Sequence, residues 1–175
     1  MSAGEAGRNQ RPLTPPVNAT VPHPVLAAAQ DAFRTRVGEG ATVSDHTRNA
    51  QAICKAWRAA VFDLDPSRYA CEVSVAPELE QRIDIFDRQE SIAFEFKVSG
   101  KNATAEFYRN VVKALLWNER RTDKLKKLVF ITEERWGRPY LDASMPKAYM
   151  AFVHKHHQLA IEVTYVRGSA SVAST

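Results

Sequence analysis

Only two of the 175 residues are cysteines, Cys54 and Cys71. They form neither a disulfide framework nor a paired-cysteine metal pattern. Both stand among apolar residues and read as buried thiols in a reducing compartment. No stretch approaches the ~20 apolar residues of a membrane span, and the N-terminus has no signal-type apolar region. A cytoplasmic location without a membrane partner is therefore expected. The glycine patterns of Walker A and dinucleotide loops are missing, which argues against nucleoside-triphosphate or dinucleotide binding. So is the G-x-S-x-G elbow of serine hydrolases. His154, His156 and His157 cluster, but i,i+2 spacing does not put ligands on one helix face. With no H-E-x-x-H and no cysteine pair to join them, a zinc site is set aside.

What is present is an ordinary globular composition, 45% hydrophobic and 25% charged, in a chain long enough for one sizeable core. Residues 1–22 hold four of the nine prolines and almost no large apolar side chains, and read as a disordered arm. Residues 23–167 read as a single domain, and 168–175 as a flexible tail. Net charge is +4, yet from Lys97 to Arg138 eleven Lys or Arg face five acids. Such a basic segment suits a polyanionic partner.

Taken in order, Pro24 opens a helix with Val25, Leu26, Ala29 and Phe33 on its apolar face, and Gly38 and Gly40 break it. Ser44 is a candidate cap for a second helix running to about Asp63. Its core stripe is Ala50, Ile53, Cys54, Trp57, Val61 and Leu64. Arg68–Val75 alternates as a strand, with Tyr69, Cys71, Val73 and Val75 on one face. After the central hairpin, Ala103–Glu119 reads as an amphipathic helix with Asn102 or Ser99 as cap. Its polar side carries Glu106, Arg109, Asn110 and Lys113. Lys127–Thr132 is apolar enough for a strand buried on both faces. Met145–His156 reads as a helix and Gln158–Val166 as a last strand.

The hairpin, Gln81–Gly100, organises the rest. Ile83 and Ile85 alternate with Arg82, Asp84 and Phe86; beyond the turn, Ile92, Phe94, Phe96 and Val98 alternate with Ala93, Glu95 and Lys97. Period two gives each run one oily face and one mixed face. A two- or four-residue turn centred on Gln89–Glu90 pairs position i with 179 − i, which sets Asp84 opposite Glu95. Opposed like charges, with Cβ atoms about 5 Å apart, are destabilising and ask for a cation. A hard divalent ion with oxygen ligands, Mg²⁺ first, fits two carboxylates plus a substrate phosphate. Lys97 points into the same space. The plainer reading is a hairpin with a charged exposed face, where such pairs contribute only ~0–1 kcal/mol.

Ile83-Asp84 and, 11 positions on, Glu95-Phe96-Lys97 resemble the PD-(D/E)XK nuclease superfamily, the restriction-endonuclease-like fold. Ile83 stands where the motif has proline, a loose position. The resemblance covers roughly residues 68–167. It implies an α/β core with a mixed central sheet, three antiparallel strands followed by a helix and a strand, flanked by helices. The order read from the chain matches that arrangement, and such agreement across levels outweighs a three-residue motif.

From the resemblance, the expected activity is Mg²⁺- or Mn²⁺-dependent hydrolysis of phosphodiester bonds. The expected enzyme is an endonuclease on DNA in restriction, defence or repair. Asp84, Glu95 and the backbone carbonyl of Phe96 would hold the metal, with Lys97 completing the catalytic set. Glu72, on the polar face of its strand, is an extra ligand candidate. Lys101, Arg109 and Lys113 are candidate phosphate contacts. A homodimer, or a partner protein that supplies specificity, is compatible with so small a chain. The alternative is a non-catalytic nucleic-acid-binding or assembly module on the same fold.

Overall fold

A computed structural model describes residues 23–37, 46–98 and 102–167. The suggested arm, tail, glycine breakers, Ser44 and Ser99 caps and Lys101 lie outside the described residues. Two helices come first, α1 (Pro24–Val37) and α2 (His46–Leu64), then strands β1 (Tyr69–Ala76), β2 (Gln81–Asp87) and β3 (Ile92–Lys97). Helix α3 (Ala103–Arg120) leads to β4 (Lys127–Glu133), and α4 (Glu134–Leu141) and α5 (Ser144–His157) lead to β5 (Ala160–Val166). The strands form one mixed sheet in the order β1-β2-β3-β4-β5. The first three are antiparallel, and β4 and β5 add parallel to β3. Parallel neighbours need crossovers, which α3 and the α4–α5 pair provide. The fold is thus α/β, a five-stranded mixed sheet flanked by helices.

Each face of the sheet buries its own cluster. On one side α1 and α2 pack Val25, Phe33, Ile53 and Trp57 against Ile85, Phe94, Phe96 and Ile131. On the other, α3 and α5 pack Phe107, Val111, Trp117 and Val153 against Phe86, Ala93, Leu128 and Phe130. The buried Trp57 indole donates to the Val25 carbonyl at 3.1 Å, tying α2 to α1. Among the described residues no helix is long and apolar enough to cross a membrane.

Three features depart from the sequence reading. First, strict alternation fails in the β1–β2 hairpin. Tyr69, Cys71 and Ile85 join the α1–α2 cluster, whereas Val73, Val75 and Ile83 join the α3 cluster. Glu72 has φ +50° in the middle of β1, a left-handed conformation that non-glycine residues rarely take. Pairing runs Cys71↔Ile85 and then Val73↔Ile83 around it, so the hairpin turns over where Glu72 faces Asp84. Second, Leu64 is exposed at the end of α2 rather than in the core. Third, α4 has no counterpart in the sequence reading. Its eight residues include Gly137 and Pro139, both poor helix formers.

Gly137 explains why α4 persists. A Cβ there would press on Thr132 Cγ2 and lie 2.9 Å from Tyr165 Cε1, so the helix backbone lies directly on β4 and β5. Alanine at 137 would gain about 0.5–1 kcal/mol of helix propensity and lose about 1–3 kcal/mol to overpacking. Gly137→Ala is therefore expected to lower stability by about 1–2 kcal/mol in a denaturant titration. A stabilised variant would show that α4 is not seated this closely.

Candidate active site

The three observed β2–β3 pairs, Ile85↔Phe94, Phe86↔Ala93 and Asp87↔Ile92, obey the 179 − i register. One step further, at Asp84 and Glu95, side chains take over from the backbone ladder. The Asp84 amide donates to Glu95 Oε1 at 3.4 Å, and the Phe96 amide donates to Asp84 Oδ2 at 3.1 Å. The strands therefore part where the two carboxylates lie. Between them and the helices is a cleft of about 420 Å³.

Four elements wall the cleft. Strand β2 and the turn before it bring Glu80, Arg82 and Asp84, and the end of β3 brings Glu95, Phe96 and Lys97. Helix α2 presents Cys54 and Arg58, one turn apart, and α3 presents Glu106, Arg109, Asn110 and Lys113. The Cys54 thiol donates to the Phe96 carbonyl at 3.3 Å, which places that backbone oxygen at the cleft. Burial pushes the thiol up to about 12, with the Asp84 charge adding to it, so Cys54 is no nucleophile at neutral pH.

Cations meet both carboxylates. Arg58 reaches Asp84 Oδ1 at 3.4 Å and Glu72 Oε1 at 3.3 Å. Lys113 Nζ lies 2.6 Å from Glu95 Oε1 and donates to the Arg82 carbonyl at 2.7 Å. Glu95 is only 3% exposed. Burial, then the Asp84 charge, raises its carboxyl to about 8 against the opposing pull of Lys113. Lys97 Nζ sits 3.6 Å from Glu106, which also holds Arg109 at 3.2 Å.

Asp84, Glu95, Phe96 and Lys97 thus converge on one cleft. Glu72 is nearby but turned to Arg58, and Arg109 is exposed. Lys113 does not lie on a solvated helix face: it is buried with Asn110, because α3 lies directly on Glu95. Sequence reasoning missed Arg58, Glu106 and Asn110 as cleft residues. Arg58 has no acid within one turn of α2, a sign that its partner lies elsewhere. Glu106, Asn110 and Lys113 stand at i, i+4 and i+7, a stripe of their own beside the apolar one.

No family model, no curated protein and no solved structure matches the chain.

Two acidic clusters compete for a cation. Among the described residues, His23, Asp87 and Glu90 bring ligand atoms within 4.8 Å of one another. There, however, Arg68 lies 2.7 Å from Asp87 and 2.6 Å from Glu90. Asp87 Oδ1 also accepts from the amides of Gln89 and Glu90, closing the hairpin turn. There one guanidinium meets both acids and Asp87 has a structural task; the cleft acids have separate cations, Arg58 and Lys113, and line an open cavity. In the cleft, Asp84, Glu95 and the Phe96 carbonyl form an all-oxygen set of the kind hard divalent ions take. Burial first, and then the Asp84 charge, raise the Glu95 carboxyl, and a divalent ion would offset both. These residues fit Mg²⁺ or Mn²⁺.

Glu95 makes stability fall with pH. Its folded carboxyl titrates near 8 against an ordinary 4.5. The folded state therefore holds a proton that the unfolded chain has released between those values. The stability this contributes is present in full below about 4.5 and is lost as pH rises through 8, with a slope of at most about 1.4 kcal/mol per pH unit. His23, held low chiefly by burial, acts in the opposite sense below its ordinary 6.5. The two are separated by Asp84→Asn, which removes the second cause of the Glu95 shift. Chemical denaturation of the metal-free protein from pH 5 to 8 is expected to show a shallower decline in Asp84→Asn than in the wild type. Identical slopes would contradict the coupling.

Proposed function

We propose that the chain is a metal-dependent nuclease of the PD-(D/E)XK type, with a restriction-endonuclease-like core, hydrolysing phosphodiester bonds in DNA as an endonuclease. The observation that carries this reading is the meeting of Asp84, Glu95, the Phe96 carbonyl and Lys97 at one cleft, where β2 and β3 part. Asp84, Glu95 and the Phe96 carbonyl would hold Mg²⁺ or Mn²⁺. When bound, such an ion supplies charge to polarise a phosphate and help ionise water.

The chain's own groups do the rest. Lys97, at the open side of the cleft, has three donors and no acceptor. It can leave Glu106 for a phosphate oxygen and offset the charge that grows there. Arg58 fixes the Asp84 carboxylate from the α2 side, and the Phe96 amide fixes it from β3. Hydrolysis forms a bond from water oxygen to phosphorus and breaks the ester P–O bond, with the proton delivered to the leaving oxygen through solvent. Arg109, exposed beside Lys97, suits a flanking phosphate, and Lys101 remains a candidate from its place in the sequence. Lys113 is assigned to Glu95 instead of to the nucleic acid.

A second reading keeps one specific observation: Arg58 and Lys113 already supply a cation to each carboxylate. A non-catalytic nucleic-acid-binding module would need no more than that. Cleavage assays with Mg²⁺ or Mn²⁺ on duplex, single-stranded and branched DNA and on RNA separate the two. The nuclease reading expects metal-dependent cleavage that falls by about 10²-fold or more in Lys97→Ala. It also expects calorimetric Mn²⁺ binding that is lost in Asp84→Asn. Nucleic-acid binding without cleavage, and Mn²⁺ affinity unchanged in Asp84→Asn, would establish the binding module instead.

A further inference from the structure

Helix α4 buries Gly137 and Leu141 and leaves two aromatic rings in solvent. Trp136 is 38% exposed and Tyr140 58%, and residues four apart on a helix share a face. Both rings stand outside the two apolar clusters of the core. The Arg135 guanidinium lies over the Trp136 ring, 4.6 Å from its centroid, and stays exposed although it also meets Glu133. Tyr140 borders a hollow of about 540 Å³ whose other wall is the start of α3, with Thr104, Ala105 and Tyr108. Aromatic rings grouped in solvent add little to a fold and mark surfaces that bind something.

Their position says what. Strands β3 and β4 run parallel, and Lys97 pairs with Thr132, shortly before Trp136. Helix α4 therefore starts at the sheet edge where Lys97 enters the cleft. The first turns of α3 serve both places: Glu106 and Arg109 line the cleft, while Ala105 and Tyr108 line the hollow. Charge around the rings is balanced, with Arg135 on Glu133 and Arg138 on Glu134. Phosphate attraction alone does not account for such a surface, but a flat, uncharged ligand does. Unpaired nucleobases stack on aromatic rings and on guanidinium planes with little regard to sequence. Bases inside a duplex are already stacked on one another.

We infer that Trp136, Arg135 and Tyr140 form a stacking platform for unpaired bases, so that the DNA entering the cleft is single-stranded or carries an unpaired stretch. This inference rests on the reading of the cleft as a phosphodiester site and names its substrate class. Lys97 and Arg109 take phosphates on one side of the start of α3, and the rings take bases on the other.

The protein carries its own reporter. Of its three tryptophans, Trp57 and Trp117 are fully buried, so acrylamide quenching reads Trp136. The test uses the full chain without divalent metal, so that binding is measured apart from cleavage. A thymidine oligonucleotide and a blunt hairpin duplex are titrated into wild type, Trp136→Ala, Trp136→Phe and Tyr140→Ala. The oligonucleotide is expected to quench the wild-type fluorescence and to shield it from acrylamide. Its affinity should fall about five- to a hundred-fold in Trp136→Ala and in Tyr140→Ala, the worth of one stacked base. Trp136→Phe, which keeps a ring, should restore most of it, and duplex affinity should not change. Single-strand affinity unaltered in both alanine variants overturns the inference. So does an equal loss on duplex and single strand, which would mark a general contact or a damaged fold. A dimeric wild type that Trp136→Ala renders monomeric overturns it too, by assigning the rings to a second copy of the chain. Single-strand binding through Trp136 without cleavage in Mn²⁺ upholds the platform and defeats the nuclease reading. A wild type that cleaves duplex and does not bind the oligonucleotide does the reverse.

Discussion

The buried contact between Lys113 and Glu95 is the constraint on which the cleft depends. Glu95 sits in the middle of a mixed sheet, beneath α3 and across from Asp84. An unpaired carboxylate there would lose several kcal/mol of hydration. Lys113 compensates from above, and its second bond, to the Arg82 carbonyl, ties α3 to β2 as well as to β3. Breaking such a pair from one side costs about 3–5 kcal/mol, yet an apolar pair of similar volume in its place is often neutral or better. Stability alone does not account for charge at this position. What the pair does accomplish is to hold a carboxyl group, which the sheet would otherwise expel, at the floor of a cleft where a carboxylate, a carbonyl and a lysine also arrive.

The same local economy explains why β2 and β3 separate where they do. A regular ladder through Asp84 and Glu95 would consume the backbone groups and aim two like charges at each other. Instead the Phe96 amide binds Asp84, and the Asp84 amide binds Glu95. In β1, Glu72 takes a left-handed conformation across from Asp84, which turns the outer half of the hairpin towards α3. Arg58 spans the two acids from α2. By contrast, the other acidic cluster is closed: Arg68 fills it and Asp87 is spent on the hairpin turn. The two groups thus differ in setting: one guanidinium bridges Asp87 and Glu90, whereas Asp84 and Glu95 have separate cations and line a cleft.

Much of this was legible in the sequence. Period-two runs offered the observed β2–β3 register on condition of a two- or four-residue turn centred on Gln89–Glu90, since a three-residue loop would have shifted it. The apolar stretch at Lys127–Thr132 read as a strand covered on both sides, and β4 is one. Local patterns could not reveal the turnover at Glu72, since a positive φ at glutamate comes from tertiary packing. Helix α4 was hidden for a similar reason: Gly137 and Pro139 oppose helix formation in isolation, and close seating on Thr132 and Tyr165 overrides them. Lys113 looked solvated because lysine usually is; only the position of Glu95 under α3 makes it a buried partner. Asn110 gave no sign of its own beyond its place in a row with Glu106 and Lys113.

The central claim is that Asp84, Glu95 and the Phe96 carbonyl form the divalent-cation site of this fold. Anomalous diffraction from crystals of the full chain grown with Mn²⁺ tests it most directly. The account predicts a manganese peak in the cleft, in contact with the oxygens of those three residues. A peak between His23, Asp87 and Glu90, or none at a saturating concentration, would contradict it.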